Sequence, residues 1–406
     1  MSAKPATPSL STRDYIDLEE RYGAHNYHPL DLVIERGEGC WVHDVEGRKY
    51  LDCLSAYSAV NQGHCHPRIL ETLREQAAKV TLTSRAFRND QLPHLYKALR
   101  EISGRSRALP MNSGAEACET AIKLARKWGH TVKGIPEDRA EVIVFENNFH
   151  GRTISLISFS TEPRYRQGFG PFTPGFTVVP YDDVEAVRRA ITPNTCAVLM
   201  EPIQAEAGVL IPRDGYLTQV AELCRQNRVL FMVDEIQTGL GRTGKMFAFQ
   251  HEDVHPDVIV VGKALSGGFY PVSAVMADDE VMGVLQPGEH GSTYGGNPLG
   301  CAVARTALDV LRDEHLVERS AELGQKFLAM LKTLKSPRIV EVRGRGLMVG
   351  VELDIPARPA CEALMAEGVL CKETHDYVIR LTPPLVVTQE ELDWAFARVR
   401  KVIEAL

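Results

Sequence analysis

No stretch of this 406-residue chain approaches the ~18 consecutive apolar residues that a membrane-spanning helix needs, which excludes a helical span. Positive charge is in deficit as well. The 46 Lys and Arg stand against 53 Asp and Glu, for a net charge of −7. Such a balance gives no basic surface for phosphate backbones or anionic lipid, so nucleic-acid and membrane partners drop out. Nine cysteines are present, an odd number, and none is spaced as CxxC. That pattern is a poor disulfide framework, and free thiols in a reducing compartment fit it better. The first twenty residues lack the apolar core of a secretory signal and are too acidic and too poor in arginine for a transit peptide. The expectation is a soluble, cytoplasmic protein acting on small molecules, with a flexible leader over residues 1 to about 19.

What is present is length and alternation. A chain of this size exceeds one compact core, so two packed lobes are expected. In 40-CWVHDVEGRKYLDC-53 two short alternating runs flank Glu46-Gly47 and predict a hairpin. From about 66 to 295, apolar runs alternate with helical patterns: 141-EVIVF-145, 176-FTVVPY-181, 196-CAVLMEP-202, 229-VLFMVD-234 and 257-DVIVVG-262. Between two of these, Leu217, Val220, Ala221 and Cys224 recur at i, i+3, i+4, i+7, the signature of a crossover helix. Strand, helix, strand in repetition predicts an α/β fold with a mainly parallel sheet flanked by helices. After about 300 come a long helical stretch, a glycine-punctuated strand 343-RGRGLMVGVEL-353, and a final helix opened by the capping box Thr388 and Glu391. The expected division is an N-terminal segment 1–60, a large domain 61–300 and a smaller α+β domain 301–406.

Two of the buried runs end in chemistry. Asp234 closes 229-VLFMVD-234, and Lys263 follows 257-DVIVVG-262 ahead of small Ala264, Ser266, Gly267 and Gly268. A desolvated amine attacks carbonyls, because burial lowers its pKa. An amine and a carboxylate on successive strand ends suit pyridoxal phosphate, held as a Schiff base on Lys263 with Asp234 on the ring nitrogen. In 112-NSGAEACETAIKLARKW-128, Ser113 is placed to cap a helix with Glu116 three residues on. Free N–H groups at Gly114 and Ala115 then face outward, where a phosphate binds. By itself Ser-Gly merely starts a helix; beside Lys263 and Asp234 the phosphate reading gains. The stretch 239-GLGRTGK-245 imitates both GxGxxG and a Walker A loop, but no strand directly precedes its glycines and Met246 stands where a magnesium-binding Ser or Thr belongs. His64-Cys65-His66 runs straight into Pro67 and reads as a turn; no metal site is expected.

With these residues in view the chain resembles the class III pyridoxal-phosphate-dependent aminotransferases, and among them those that transfer the δ-amino group of ornithine. The resemblance covers nearly everything after residue 20. It rests on 22-YGAHNYHPL-30, 57-YSAVNQGHCHP-67, 81-TLTSRAF-87, 201-EPIQAEAG-208, 233-VDEIQTGLGRTG-244, 262-GKALSGG-268 and PGEHGSTYGGNPLG from Pro287 to Gly300. It implies a fold type I architecture. Lys263 matches the lysine that binds the cofactor and shuttles the proton, and Asp234 the carboxylate that keeps the ring nitrogen protonated. Phe149, with His150 beside it, would stack on the ring, and Gln237 would bond the phenolic oxygen. Ser113, Gly114 and Ala115 would hold the phosphate, joined by Thr293, with Ser292 beside it, from a neighbouring subunit of a homodimer.

For substrates, the resemblance implies L-ornithine and 2-oxoglutarate, with a place in arginine breakdown or proline supply. Arg152 matches the arginine that pairs with the α-carboxylate of ornithine, and Tyr27 and Tyr57 match residues around its α-amino end. Arg380 matches the receiver of the 2-oxoglutarate α-carboxylate, and Glu206 the acid that covers Arg380 while ornithine is bound. For an isolated arginine an ordinary surface ion pair is the simpler reading. Two departures concern the site. Ala205 stands where the family usually has Gly, next to Glu206, and His150 replaces the Trp found in animal relatives. A sibling transaminase acting on N-acetylornithine or 4-aminobutyrate is the alternative.

Overall fold

The computed structural model describes residues 10–406. At its centre is a seven-stranded sheet in the order Arg107–Met111, Ser273–Ala277, Val258–Val261, Leu230–Asp234, Thr195–Met200, Glu141–Phe145, Phe176–Val179. The last five strands run parallel. Ser273–Ala277 is antiparallel to both of its neighbours. Four strands, Thr195–Met200, Leu230–Asp234, Val258–Val261 and Ser273–Ala277, are buried at every position, which is why their sequences read as continuous apolar runs rather than as alternation. Successive side chains still point to opposite faces. Val142, Val144, Ala197 and Leu199 share one core with the helix Gly114–Trp128, while Ile143, Phe145, Val198 and Met200 belong to a second, larger core that also takes in residues of Tyr216–Gln226 and Pro298–Asp313. Each such Val, Ile or Leu contributes about 1.5–3 kcal/mol by leaving water.

The carboxyl ends of the parallel strands open on one edge of this sheet, where open α/β sheets bind their ligands. Two four-stranded sheets flank it. Ile34–Glu38, Trp41–Asp44 and Lys49–Asp52 form an antiparallel meander, and Val369–Leu370 joins it in parallel beside Lys49–Asp52. The expected hairpin thus forms, with Asp44 accepting the backbone N–H groups of Glu46 and Arg48 and with Gly47 at φ 81°. The other sheet, Ile339–Arg345, Met348–Leu353, Val378–Leu381 and Lys372–Thr374, is antiparallel throughout.

Two expectations need correction. The single strand expected over 343–353 is two strands folded about Gly346, whose φ is 54° and whose hydrogen faces the Thr243 backbone; a Cβ there would collide with that carbonyl carbon. The leader is not wholly irregular, because Thr12–Tyr22 is a helix capped by Ser11 and Asp14; residues 1–9 of it lie outside the described residues. The long helical stretch after 300 divides into Pro298–Asp313 and Leu316–Leu331 at His315, which takes φ 52°. The last helix, Gln389–Ile403, opens with the Thr388–Glu391 capping box. No helix among the described residues is long and apolar enough to cross a membrane.

Candidate active site

Lys263 follows the strand Val258–Val261 across Gly262 and starts a tight turn, Lys263–Ser266. Its φ is 43°, in the left-handed region. For a residue with a Cβ this costs on the order of 1–3 kcal/mol and is a mark of functional strain. Lys263 lines two adjoining clefts of about 280 and about 180 Å³. Burial pushes the Lys263 pKa down to about 8, with Glu206 pulling it up and Arg380 pushing it further down. An amine so placed sheds its proton far more readily than an ordinary lysine and is able to act as a nucleophile or proton carrier.

The smaller cleft is lined by Gly114, Ala115, Phe149, His150, Glu201, Asp234, Gln237 and Lys263 among others. Asp234, 3 % exposed, ends its strand there. One carboxylate oxygen accepts from His150 Nδ1 at 2.7 Å and from the Cys118 thiol at 3.3 Å, and the other accepts the Ile236 N–H. Burial disfavours the charged imidazole of His150, but the hydrogen bond and charge of Asp234 outweigh it and raise the pKa. Cys118, His150 and Asp234 bring their donor atoms within 4.8 Å of one another. The Cys118 thiol and His150 Nδ1 both donate to one Asp234 oxygen, so the trio is a hydrogen-bonded chain anchoring one carboxylate, with His150 Nε2 buried and unpartnered. The Trp-to-His departure therefore gives Asp234 a partner.

The capping box expected at Ser113 is present. Ser113 and Glu116 form a capping box at the start of Gly114–Trp128, with Ser113 Oγ accepting the Glu116 N–H and the Glu116 carboxylate accepting the Ser113 N–H. No hydrogen bond within the chain claims the N–H of Gly114 or Ala115 among the described residues. The cradle also has no room to spare: a Cβ on Gly114 would meet Ile236 at 2.9 Å. Free N–H groups at the positive end of a helix, an anchored carboxylate at a strand end and a lysine amine of lowered pKa are the three attachments that pyridoxal phosphate requires.

A wider cleft of about 540 Å³ adjoins this one through Phe149. Tyr27, Tyr57, Arg152, Tyr165 and Glu206 line it. Arg380, 1 % exposed, sits on the strand Val378–Leu381 beneath the ring of Tyr57 at 4.7 Å. Its Nη1 donates to Glu206 Oε1 at 2.9 Å, whereas Nε and Nη2 are buried without partners. Burial raises the Glu206 pKa but Arg380 outweighs it, and the carboxyl titrates below its usual range. Gln237 spans the pair: Nε2 donates to Glu206 at 3.1 Å, and Oε1 lies 3.4 Å from Arg380 Nη1. One amide N–H is thus committed, leaving the other for a ligand. Ala205 is fully buried against Ile203, Val209 and Met348, so the methyl that replaces the usual glycine hydrogen fills a small apolar core beneath Glu206.

Not every expected residue converges here. Thr293 is exposed and absent from the linings of both clefts, and the Ser292 hydroxyl instead accepts from Asn112 Nδ2 at 2.8 Å. Tyr27 lies on the rim, 73 % exposed. Conversely, the sequence reading left Glu201 without a role. Its carboxylate, 5 % exposed, accepts the Phe149 N–H at 2.9 Å, and burial pushes its pKa up to about 7. The signal was a carboxylate directly after a fully buried strand. The imitation phosphate loop is structural: Arg242, fully buried, donates to the carbonyls of Leu347 and Pro383 and to Asn61 Oδ1. His64 and His66 pair with different carboxylates, Asp52 and Glu314.

Fold and site together define a pyridoxal-phosphate-dependent transferase of fold type I. The family model for aminotransferase class-III matches residues 22–403, and the chain belongs to that family. It is 59 % identical over 392 residues to an ornithine aminotransferase of Brevibacillus brevis, spanning 97 % of this chain and 98 % of that one. A Bordetella pertussis ornithine aminotransferase is 57 % identical over 399 residues, spanning 98 % and 96 %. Among solved structures, the ornithine aminotransferase of Toxoplasma gondii, described with partial occupancy of PLP at its active site, superimposes with a TM-score of 0.97 at 47 % identity, covering 98 % of this chain and 95 % of that one. An acetylornithine aminotransferase from Elizabethkingia anophelis superimposes at 0.90 with 49 % identity, covering 98 % and 100 %.

Proposed function

We propose that the protein is an ornithine:2-oxoglutarate 5-aminotransferase, converting L-ornithine to glutamate 5-semialdehyde, which cyclises to pyrroline-5-carboxylate, and 2-oxoglutarate to glutamate. The observation that carries this reading is a buried arginine, Arg380, covered by one carboxylate, Glu206, in the same site as a second arginine, Arg152, that has no acidic partner among the described residues. With Glu206 on Arg380, a single guanidinium is free for a carboxylate. A substrate anchored there by its α-carboxylate presents its far end, the δ-amine, toward Lys263. When Glu206 turns away, the unpartnered Nε and Nη2 of Arg380 form a fork for a second carboxylate, as a dicarboxylic oxo acid demands. The relatives named above support the choice of ornithine.

Bound pyridoxal phosphate supplies an aldehyde for the amino group and an electron sink for the carbon that loses a proton. The chain's own part is positioning and proton transfer. Gly114 and Ala115 N–H groups, with Ser113, would hold the phosphate; Asp234, fixed by His150, would keep a positive charge on the ring nitrogen; Phe149 would wall the ring and Gln237 would bond its phenolic oxygen. Lys263 Nζ takes and returns the proton. Thr293, exposed in the single chain, and Ser292, half-buried beside it, suit delivery to a second subunit of a homodimer. We further assign residues 1–60, 61–300 and 301–406 to an N-terminal segment, a large cofactor domain and a smaller domain, and the enzyme to the cytoplasm, in arginine breakdown or proline supply.

The test is donor choice. L-ornithine, N-acetylornithine and 4-aminobutyrate are offered with 2-oxoglutarate, and pyrroline-5-carboxylate is trapped with an aminobenzaldehyde. Preference for ornithine with trapped product is the expected result; preference for either other donor replaces the substrate assignment. Tyr27, a polar partner for a free α-amine, decides between these donors. Tyr27→Ile is expected to shift the ratio of kcat/KM values from ornithine toward 4-aminobutyrate by roughly tenfold, the scale of one lost hydrogen bond to a charged group, and unchanged ratios would remove Tyr27 from substrate recognition.

A further inference from the structure

Arg152 makes no hydrogen bond or ion pair with another side chain among the described residues, although Glu206 lines the same cleft and Glu162 lies close by. Glu206 is already taken by Arg380, and Glu162 caps the next turn by accepting the Arg164 N–H. What Arg152 does have is two aromatic faces. Its guanidinium carbon lies 4.2 Å from the ring centre of Tyr165 and 5.9 Å from that of Phe149. Those two rings meet edge to face, 5.9 Å apart at 71°. A guanidinium held against aromatic rings, with none of its N–H groups bonded to another side chain, keeps those donors for the two-pronged pairing that a carboxylate needs. An ion pair would fix the group equally well but would consume the same donors.

The platform is rigid for reasons local to the chain. Tyr165 sits in the single turn Pro163–Arg166, started by Pro163 and capped by Glu162. Thr161 Oγ1 accepts the Asn147 N–H at 2.8 Å, tying this turn to the loop that carries Phe149 and Arg152. Arg166 donates to the Ser160 carbonyl, and Arg164 reaches Asp376 at 3.1 Å on the far rim. Tyr165 itself is half-buried.

We infer that Tyr165 is a positioning residue for carboxylate recognition: it presents the free edge of Arg152 to the end of the substrate that is not reacting, and so sets affinity for carboxylate-bearing substrates without taking part in the chemistry. This deepens the proposed function and rests on its use of Arg152. Tyr165→Leu keeps bulk but removes the π face, and Tyr165→Phe keeps the face and removes only the hydroxyl. Stopped-flow single turnovers of each half-reaction separate binding from chemistry. In Tyr165→Leu the apparent dissociation constants for L-ornithine and for 2-oxoglutarate are expected to rise roughly tenfold, within the range of a cation–π contact, while the limiting rates stay within about twofold of wild type. Tyr165→Phe restores both constants. In an Arg152→Leu background Tyr165→Leu adds nothing, because the two changes remove one interaction.

Unchanged constants in Tyr165→Leu, failure of Tyr165→Phe to restore them, or full additivity with Arg152→Leu would each overturn the assignment. The donor comparison keeps the two readings apart. If wild type prefers a donor other than ornithine, the substrate assignment fails, while the effect of Tyr165 on the 2-oxoglutarate half-reaction still stands or falls alone.

Discussion

Replacing Lys263 by Ala is expected to lower turnover of the holoenzyme by at least ~10⁴-fold, the upper range for loss of a positioned acid–base group. The fold should survive, since Lys263 lies on the wall of a cleft rather than in the core, and thermal unfolding is the check. Two functions leave with the amine: attachment of the cofactor and transfer of the proton. Turnover near wild type would overturn the whole site. The amine can also be watched in the apoprotein. Burial sets its pKa at about 8, so the neutral form that attacks an aldehyde is the minority at pH 7 and predominates at pH 9. The rate of pyridoxal phosphate uptake by apoprotein is therefore expected to climb through about pH 8 and level off above it. A flat profile across that window would mean that Lys263 is not desolvated as the geometry implies.

How far such a site is legible in the sequence depends on the range of the interactions that make it. The capping box at Ser113, the hairpin about Glu46-Gly47 and the crossover helix around Val220 are local, so residue type and spacing suffice to find them. Lys263 and Asp234 are legible for a related reason: an ionisable group at the end of an unbroken apolar run has few reasons to be there. Glu201 has the same form, yet it escaped, because its partner is the backbone N–H of Phe149, 52 residues away in sequence, and no side-chain pattern announces a backbone partner. Arg242 shows the opposite hazard, a motif rightly set aside on its context. Its glycine-rich surroundings imitate a phosphate loop, but burial pushes its pKa down to about 9 and its donors go to carbonyls more than a hundred residues further on. The turn at Gly346 was missed because two strands of similar composition with only Gly346 and Leu347 between them look like one. Tyr165 carried no signal at all; its role exists only once the chain has brought it against Arg152.

Arg380→Leu is expected to divide the reaction in two. In the wild-type protein the guanidinium is buried with one N–H group on Glu206 and two nitrogens unpartnered, an arrangement whose cost makes sense if a second carboxylate completes it. Removing the arginine removes that receiver, and loss of one partner of a desolvated charge pair costs about 3–5 kcal/mol. The second half-reaction, followed as the return of cofactor absorbance on adding 2-oxoglutarate, is therefore expected to slow in kcat/KM by roughly 10²- to 10³-fold. The first half-reaction with ornithine draws its carboxylate contact from Arg152 and should stay within about tenfold. Arg380→Lys should recover little of the loss, since a point charge lacks the planar fork. Two pKa consequences follow in the Arg380→Leu variant. In the wild-type protein Arg380 holds the Glu206 carboxyl below its usual range and pushes Lys263 down, so loss of the guanidinium lets both rise, and the uptake profile of apoprotein should move to higher pH. Equal losses in both half-reactions would mean that Arg380 serves the fold rather than the oxo acid. An unmoved uptake profile would mean that the field of Arg380 does not reach the lysine, and that the exchange of Glu206 between Arg380 and solvent gates substrates by occupancy alone.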